Sequence, residues 1–151
     1  MSNDKVRGFE KVSRIKEDIQ LPRRNDEGSA GYDFFAIEEI KLEHNIPTII
    51  KTGVKAYMLK DEVLILCNRS SNPIKKHLVL INGIGVIDQS FYNNVDNDGE
   101  IGFIFVNTSI NPVTINVGDK IGQGIFIKYF IVDNDNPVNS TRIGGFGSTG
   151  A

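Results

Sequence analysis

Short apolar runs, each ended by turn residues, recur along the whole chain. They are rich in β-branched and aromatic residues and include residues 54–59, 63–67, 101–108 and 121–132. Runs of this length favour strands, and none keeps the 3.6-residue apolar period of a long helix. Many short strands of this kind are typical of an all-β sandwich or barrel. The sequence therefore predicts a single all-β domain without internal repeats.

The length and composition fit one soluble domain. The chain has 151 residues, of which 40% are hydrophobic, and its formal net charge at pH 7 is -2. This charge argues against a broad basic face for nucleic acid. No apolar run approaches the length of a membrane span, and the N-terminal residues lack an apolar signal segment. We therefore expect a cytoplasmic protein with no direct nucleic-acid binding and no membrane contact.

The cysteine and histidine residues are too few and too far apart for a disulfide framework or a zinc site. Cys67 is the single cysteine, so no disulfide can form within the chain, and we expect a buried free thiol in a strand. The two histidines, His44 and His77, lie in different segments, with no cysteine or histidine at ligand spacing.

Helical structure is expected to be minor. Residues 74–78 can form one turn, with Ser71 or Asn72 as the capping residue and Pro73 at the first helical position. Residues 7–19 fit either an opening strand with a turn or a short amphipathic helix.

Three further segments carry clear local signals. Residues 78–87 are strand-like throughout. Residues 93–99 are polar and are predicted to form a hairpin loop, because Asp98-Gly99 is a strong turn signal. Residues 144–150 contain four glycines and no apolar period, so we expect a flexible Gly-rich C-terminal tail.

Two aspartates stand in unusual surroundings. Asp88 follows Val86-Ile87 at the predicted end of a strand, between glycines and a polar loop. It could be a general base held on a rigid strand end, or a turn aspartate that bonds its own backbone. Asp33 lies inside an aromatic and apolar run. Because an unpaired buried carboxylate is costly, Asp33 needs hydrogen-bond donors or a cation nearby.

Several polar residues have chemistry that suits a phosphate ligand. Arg69, Ser70 and Ser71 offer a guanidinium fork and two hydroxyls on a loop. Gln123 lies between two glycines, where a ligand can approach the backbone closely. The ordinary alternatives are a surface arginine and a strand-edge amide.

The tail repeats this combination of residues. Arg142, Ser148 and Thr149 accompany glycines whose free N–H groups can bind anions. Phe146 lies between two glycines and suits stacking on a base or sugar. The alternative is a tail that has no ligand. The residues alone therefore favour a protein that binds or hydrolyses a nucleoside polyphosphate.

Five motifs in a fixed order resemble those of the homotrimeric deoxyuridine triphosphate nucleotidohydrolases, the dUTPases. They cover most of the chain, and Asn68 stands before the second motif where proline is frequent. The motifs are Ala30-Gly31-Tyr32-Asp33, Arg69-Ser70-Ser71, Gly85-Val86-Ile87-Asp88, Gly118-Asp119-Lys120-Ile121-Gly122-Gln123, and residues 142–150.

The resemblance implies a distorted jelly-roll β-barrel, a homotrimer with shared active sites, and hydrolysis of dUTP to dUMP and pyrophosphate with Mg2+. Asp88 would be the general base that deprotonates water for in-line attack on the α-phosphorus. Asp33 would support the metal indirectly, through water.

The resemblance also implies a set of substrate-binding residues. Those for the phosphates are Arg69, Ser70, Ser71, Gln123, Arg142, Gly147, Ser148 and Thr149. Those for the uracil and deoxyribose are Asn82, Gly85, Ile87, Phe91 and Phe146, with backbone groups of a hairpin around residues 83–91 reading the base.

The sequence departs from the family pattern at three points. Phe91 stands where the family usually has a tyrosine under the deoxyribose, and Tyr92 follows it. The loop of residues 93–99 is longer than the compact turn common in the family. The tail has one residue fewer between Arg142 and Phe146, which implies a different path for the arginine.

Two other functions fit the same scaffold. A deoxycytidine triphosphate deaminase would need a glutamate at the position of Ile104, and Glu100 comes too early in the chain. A regulatory protein that binds a transcriptional repressor could use the polar loop of residues 93–99 for that partner, with or without catalysis.

Overall fold

The computed structural model describes residues 4–140, and nearly all regular structure in this range is β. The twelve strands of the described range are β1 (Gly8–Lys11), β2 (Arg23–Arg24), β3 (Tyr32–Phe35), β4 (Ile40–Leu42), β5 (Thr48–Lys51), β6 (Val54–Tyr57), β7 (Glu62–Cys67), β8 (Leu78–Leu80), β9 (Gly85–Asp88), β10 (Gly102–Asn107), β11 (Val113–Ile115) and β12 (Lys120–Lys128). One short helix, α1 (Asn72–Lys75), and one 3-10 turn (Gln89–Phe91) accompany them. The prediction of an all-β jelly-roll barrel is confirmed.

The strands form four antiparallel sheets around one core. Two sheets are pairs, β1–β6 and β11–β4, a third has the order β5–β10–β8, and the largest has the order β2–β3–β12–β7–β9. Phe34 and Phe103 are fully buried, and their rings meet edge to face with centroids 5.2 Å apart. The contact requires a glycine at position 122, because a Cβ there would lie 2.3 Å from the Phe103 ring.

Residues 78–87 do not form the single strand that their composition predicts. A turn at residues 81–84 divides them, with Gly83 at φ 77° and its N–H bonded to the Leu80 carbonyl at 2.9 Å. β8 then pairs with β10, whereas β9 pairs with β7. The predicted hairpin is therefore a turn between two sheets, because each half finds a different partner strand.

The loop of residues 93–99 has the predicted turn but does not close a hairpin. Asp98 and Gly99 both have positive φ, 63° and 87°. The strands on either side, β9 and β10, belong to different sheets. One ion pair and one hydrogen bond hold the loop in place: Asp98 accepts from Lys55 Nζ at 2.9 Å and from the Ser13 backbone N–H at 2.8 Å.

The structure decides the two helical predictions, those for residues 7–19 and 74–78. Residues 8–11 are a strand, so the amphipathic-helix alternative for residues 7–19 is wrong. The predicted helical turn is present but begins earlier than expected: α1 covers Asn72–Lys75, so Pro73 is its second residue, and Ser71 precedes it without a side-chain capping bond. No helix in residues 4–140 has the length and hydropathy that a membrane crossing requires.

A partly buried ion pair joins Arg7 to Glu62 of β7. Glu62 is 4% exposed, accepts hydrogen bonds from the Arg7 guanidinium and accepts the Leu59 N–H at 2.9 Å. The hydrogen bonds from Arg7 hold the pKa of the Glu62 carboxyl below its usual value of 4.5. A lowered pKa means that the folded protein binds this proton less readily than the unfolded chain. The stability from Glu62 is thus present above about pH 4.5 and is lost as pH falls through the folded-state pKa.

We expect Glu62→Gln to lower the free energy of unfolding at pH 7 by about 1–3 kcal/mol, since a charged partner of Arg7 is removed. The variant should also lose less stability between pH 5 and pH 3 than the wild type (about the range of carboxyl titration). Urea unfolding at about pH 7, 5 and 3 measures these effects. Glu43→Gln is the control, because Glu43 is exposed and lies 3.6 Å from Lys41. Equal effects of the two substitutions would contradict the proposed role of the Arg7–Glu62 pair.

Candidate active site

The outer face of the five-stranded sheet carries a row of polar residues. Gln123 pairs with Asp33 of β3 on one side and with Cys67 of β7 on the other. Residues directly opposite on neighbouring strands point to the same face, with Cβ atoms about 4.5–5.5 Å apart. Asp33 and Gln123, two residues of the predicted site, are therefore brought together. Cys67 is a free thiol at the end of β7 and is half-buried rather than buried as expected.

Gln123 is held at its place in this row. Its Nε2 donates to the Asn68 carbonyl at 3.1 Å. Its Oε1 packs against Gly31. A Cβ at position 31 would lie 2.1 Å from that oxygen, so residue 31 must be a glycine. The first, second and fourth sequence motifs thus meet around one amide.

Asp33 has the cation that its burial requires. Its Oδ2 lies 3.2 Å from Lys120 Nζ, and the Asp33 side chain is 14% exposed. The sequence predicted a donor or cation but did not identify Lys120. The signal was present, because Lys120 lies in the fourth motif, whose glutamine pairs with Asp33 in the sheet.

The loop that carries Arg69, Ser70 and Ser71 is anchored by two asparagines. Asn68 Oδ1 accepts from the Arg69 N–H at 2.9 Å and from Asn72 Nδ2 at 2.8 Å. Asn72 is fully buried and also donates to the Ile121 carbonyl at 3.0 Å. The loop is therefore tied to the start of β12, and Arg69 and Ser70 leave β7 beside Gln123. The sequence did not predict this anchoring role for the asparagines.

Asp88 ends β9, where it pairs with Val63 of β7. Its neighbour Ile87 is 6% exposed and packs in the core, so Asp88 lies on the outer face of the sheet. β9 is an edge strand within this sheet. Backbone N–H and C=O groups along the edge of such a strand can bond a ligand.

The predicted base-binding residues lie along this edge. Asn82 is exposed in the turn of residues 81–84, and Gly85 begins β9. The Ile87 side chain is buried, which leaves its backbone for a ligand. Phe91 is 6% exposed within the core cluster. The contact of Phe91 with a sugar stays a prediction.

Tyr92 does not occupy the position of a substrate-binding tyrosine. Its hydroxyl bonds the Glu10 carboxylate, and its ring lies 5.9 Å from that of Tyr57. The bond to Tyr92 lowers the pKa of Glu10, and the same bond raises the pKa of Tyr92. The hydroxyl therefore belongs to a structural contact between β1 and the loop after β9.

Asp88 and the Gln123 row lie at separate ends of the outer face. Asp88 is opposite Val63, and Gln123 is opposite Cys67. The four residue steps from Val63 to Cys67 on β7 span about 13 Å. The row between them is apolar: Ile65 faces Val86 on one side and Ile125 on the other. Within one chain, therefore, a polyphosphate would have to cross an apolar strip to reach both groups.

Part of the predicted site is outside the range that the structure describes. These residues belong to the tail motif, and their predicted phosphate and base contacts stay predictions. They are Arg142, Phe146, Gly147, Ser148 and Thr149.

The described residues contain no group of three His, Cys, Asp or Glu side chains that could hold a metal ion. An all-protein metal cage is therefore not formed within residues 4–140. Mg2+ commonly binds through one or two carboxylates, several waters and substrate phosphates. Asp33, a single carboxylate in the polar row, fits that pattern as an indirect ligand.

Comparisons with known proteins agree with this geometry. The family model for dUTPase matches residues 17–150. The deoxyuridine 5'-triphosphate nucleotidohydrolase of Lactococcus lactis is 46% identical over 149 residues, which cover 97% of this chain and 99% of that protein. The enzyme of the same name from a Helicobacter pylori strain is 31% identical over 144 residues, 93% and 95% of the two chains.

Solved structures share the architecture. The crystal structure of dUTPase from Streptococcus mutans matches with a TM-score of 0.82 and 40% identity, over 84% of this chain and 99% of that chain. A dUTPase from phage phi11 of S. aureus matches with a TM-score of 0.72 and 23% identity, over 90% and 99%, which supports the fold alone. The first four motifs lie around one polar row and one strand end, and the family model and the relatives match nearly the whole chain: it belongs to the dUTPase family.

Proposed function

We propose that this protein hydrolyses dUTP to dUMP and pyrophosphate, with Asp88 as the general base and with Mg2+. The observation that carries the proposal is the position of Asp88, a carboxylate on the outer face at the end of an edge strand. The family membership and the names of the relatives support the substrate.

The reaction requires one proton acceptor and a way to stabilise charge. Asp88 would accept a proton from water as the water oxygen forms a bond to the α-phosphorus. The bond from that phosphorus to the bridging oxygen of the β-phosphate breaks, and pyrophosphate leaves with the electron pair. General-base assistance of this kind contributes about 10²–10⁴ in rate. The rest must come from positioning and from stabilising the phosphate charge.

The phosphate ligands would come from the anchored loop and the polar row. Arg69 offers a planar fork, which suits bidentate bonds to phosphate oxygens, and Ser70 offers a hydroxyl. Gln123 would donate an amide N–H to the same chain of phosphates. Because Asn68 and Asn72 fix the loop, these groups need little reorganisation when substrate binds.

Mg2+, when bound, would neutralise phosphate charge and orient the α-phosphate for attack. Asp33 would hold waters of the metal. Lys120 keeps the Asp33 carboxylate in place at 3.2 Å. For the phage phi11 dUTPase, a structural Mg(II) ion has been described.

Uracil would be read by backbone groups along β9 and the preceding turn, with Asn82 beside them. A site that hydrogen-bonds the uracil carbonyl leaves buried groups unpaired when cytosine presents an amine there. Such mismatches can discriminate by roughly 10⁴ or more.

We infer that the site is completed by neighbouring copies in a homotrimer. The outer face of β9 and the end of β12 expose apolar side chains that a partner could cover. Val86 is 55%, Ile127 45% and Phe130 95% exposed. Exposed apolar residues that cluster on one face mark interaction surfaces. Covering the apolar strip would bring Asp88 of one chain beside the polar row of another.

A pyrophosphate-release assay with dUTP, UTP, dTTP and dCTP tests the function. We expect dUTP to be turned over more efficiently than the other three, in kcat/KM, by about a hundredfold or more. UTP adds a hydroxyl and dTTP adds a methyl, each worth on the order of 10² in discrimination, whereas dCTP mismatches a polar contact, which is worth roughly 10⁴ or more. Intact dUTP in the presence of Mg2+ would contradict the proposal.

The deaminase alternative is not supported by the site. Ile104 lies in β10 at the position where a glutamate would be needed. Glu100 is occupied by bidentate bonds from Arg14 at 2.7 and 2.6 Å and by the Gly53 N–H at 2.9 Å. Ammonia release from dCTP in the same assay would restore this alternative.

A further inference from the structure

A second arginine lies in the polar row of the candidate site. Arg23 of β2 pairs with Asp33 of β3, and Asp33 in turn pairs with Gln123 of β12. Directly paired residues share a face, so Arg23 follows Asp33 in the row, with its Cβ about 5 Å further across the sheet. None of the sequence motifs includes Arg23.

The cleft beside this row is rich in positive charge. It has a volume of about 240 Å³, and its lining includes Arg23, Arg24, Asn25, Asp33 and Lys120. Three cations and a single carboxylate therefore line this cleft. Lys120 already compensates Asp33 at 3.2 Å. The charge of Arg23 is thus left for another anion.

The two neighbouring arginines differ in how they are used. Arg24 donates to the Glu27 carbonyl at 2.7 Å and lies over the Tyr32 ring at 6.0 Å. Arg23 is exposed and has no hydrogen bond or ion pair with any side chain in residues 4–140. A guanidinium fork without a partner among residues 4–140, next to a carboxylate that already has one, suits bidentate binding of phosphate.

We propose that Arg23 is a substrate-binding residue that contacts the β- and γ-phosphates, the part of dUTP that leaves as pyrophosphate. This inference rests on the proposed function. The two arginines then lie at opposite ends of the polar row. Arg69 follows β7 at one end, and Arg23 lies in β2 at the other end, beyond Asp33. The nucleoside end of the substrate lies away from Arg23.

The test compares ligands with and without the terminal phosphates. In the Arg23→Gln variant, we expect the dissociation constant of magnesium pyrophosphate, measured by calorimetry, to rise about tenfold or more, because charge-assisted hydrogen bonds are lost. The KM for dUTP should rise by a similar factor. The inhibition constant of dUMP, which lacks the terminal phosphates, should stay within about twofold. Arg23→Lys should give an intermediate loss, since a lysine keeps the charge but not the fork.

Lys41→Gln is the matched control, because Lys41 is an exposed lysine of β4 and its removal changes the net charge equally. It should leave the pyrophosphate affinity unchanged. The proposal is overturned if Arg23→Gln binds pyrophosphate as the wild type does, if dUMP weakens equally, or if Lys41→Gln has the same effect. Wild-type protein that fails to bind pyrophosphate also overturns it. Calorimetry needs no turnover, so failure to hydrolyse dUTP would contradict the proposed function separately.

Discussion

Asp88→Asn should lower the turnover of dUTP by about two orders of magnitude or more, while nucleotide affinity is retained. Asparagine has nearly the same shape as aspartate but cannot accept the proton of the attacking water. Asp88 lies on the outer face, and its neighbour Ile87 supplies the core contact. The substitution should therefore leave the fold unchanged. Single-turnover hydrolysis and calorimetric binding of a non-hydrolysable dUTP analogue measure the two effects.

Asp18→Asn is the control for this experiment, since Asp18 is exposed and lies outside the motifs. It should hydrolyse dUTP at the wild-type rate. Full turnover by Asp88→Asn would remove Asp88 from the base role. Loss of binding together with turnover would instead assign it to substrate binding.

Mixing two inactive variants should restore activity if the site is shared between chains. One variant is Asp88→Asn, and the other is Arg69→Gln. In a mixed trimer, a site can combine Asp88 from one chain with Arg69 from the next. For random assembly of equal amounts, each site has a one-half chance for each intact residue. The mixture should thus recover about a quarter of the wild-type activity after dissociation and reassembly.

The apolar strip of Val86, Ile65 and Ile125 is the reason for this expectation, because it separates the two groups within a chain. Each variant incubated and reassembled alone is the control and should stay inactive. A mixture that recovers no activity, although mass spectrometry detects mixed trimers, would show that Asp88 and Arg69 act within one chain.

The strands were predictable from sequence because their signals are local. Residues 101–108 and 63–67 contain the observed β10 and most of β7, and Asp98-Gly99 forms the predicted turn. The division of residues 78–87 was missed, although Asn82-Gly83 between the two halves is a turn signal. The pairing of the two halves with different sheets was not predictable, because it depends on partner strands that are distant in the sequence.

In the candidate site, too, local signals could be read from the sequence and long-range strand pairings could not. Asp33 is a carboxylate in an apolar run, so a nearby cation could be expected from the sequence. The identity of that cation could not, because Lys120 is 87 positions away and only the pairing of β3 with β12 brings it close. Arg23 gave no signal, because an arginine in a polar loop is ordinary. Its importance comes from the register of β2 with β3, which the sequence does not encode locally.

The outer edge of β9 has a consequence for a single chain. Within residues 4–140, no strand lies beyond β9 in its sheet, and the side chains of Val86 and Ile84 beside that edge are exposed. Such an edge can recruit a strand from any other chain and so begin aggregation. Rapid association of folded subunits would then protect newly synthesised protein from aggregation. Chains that associate slowly or are only partly folded would aggregate most readily.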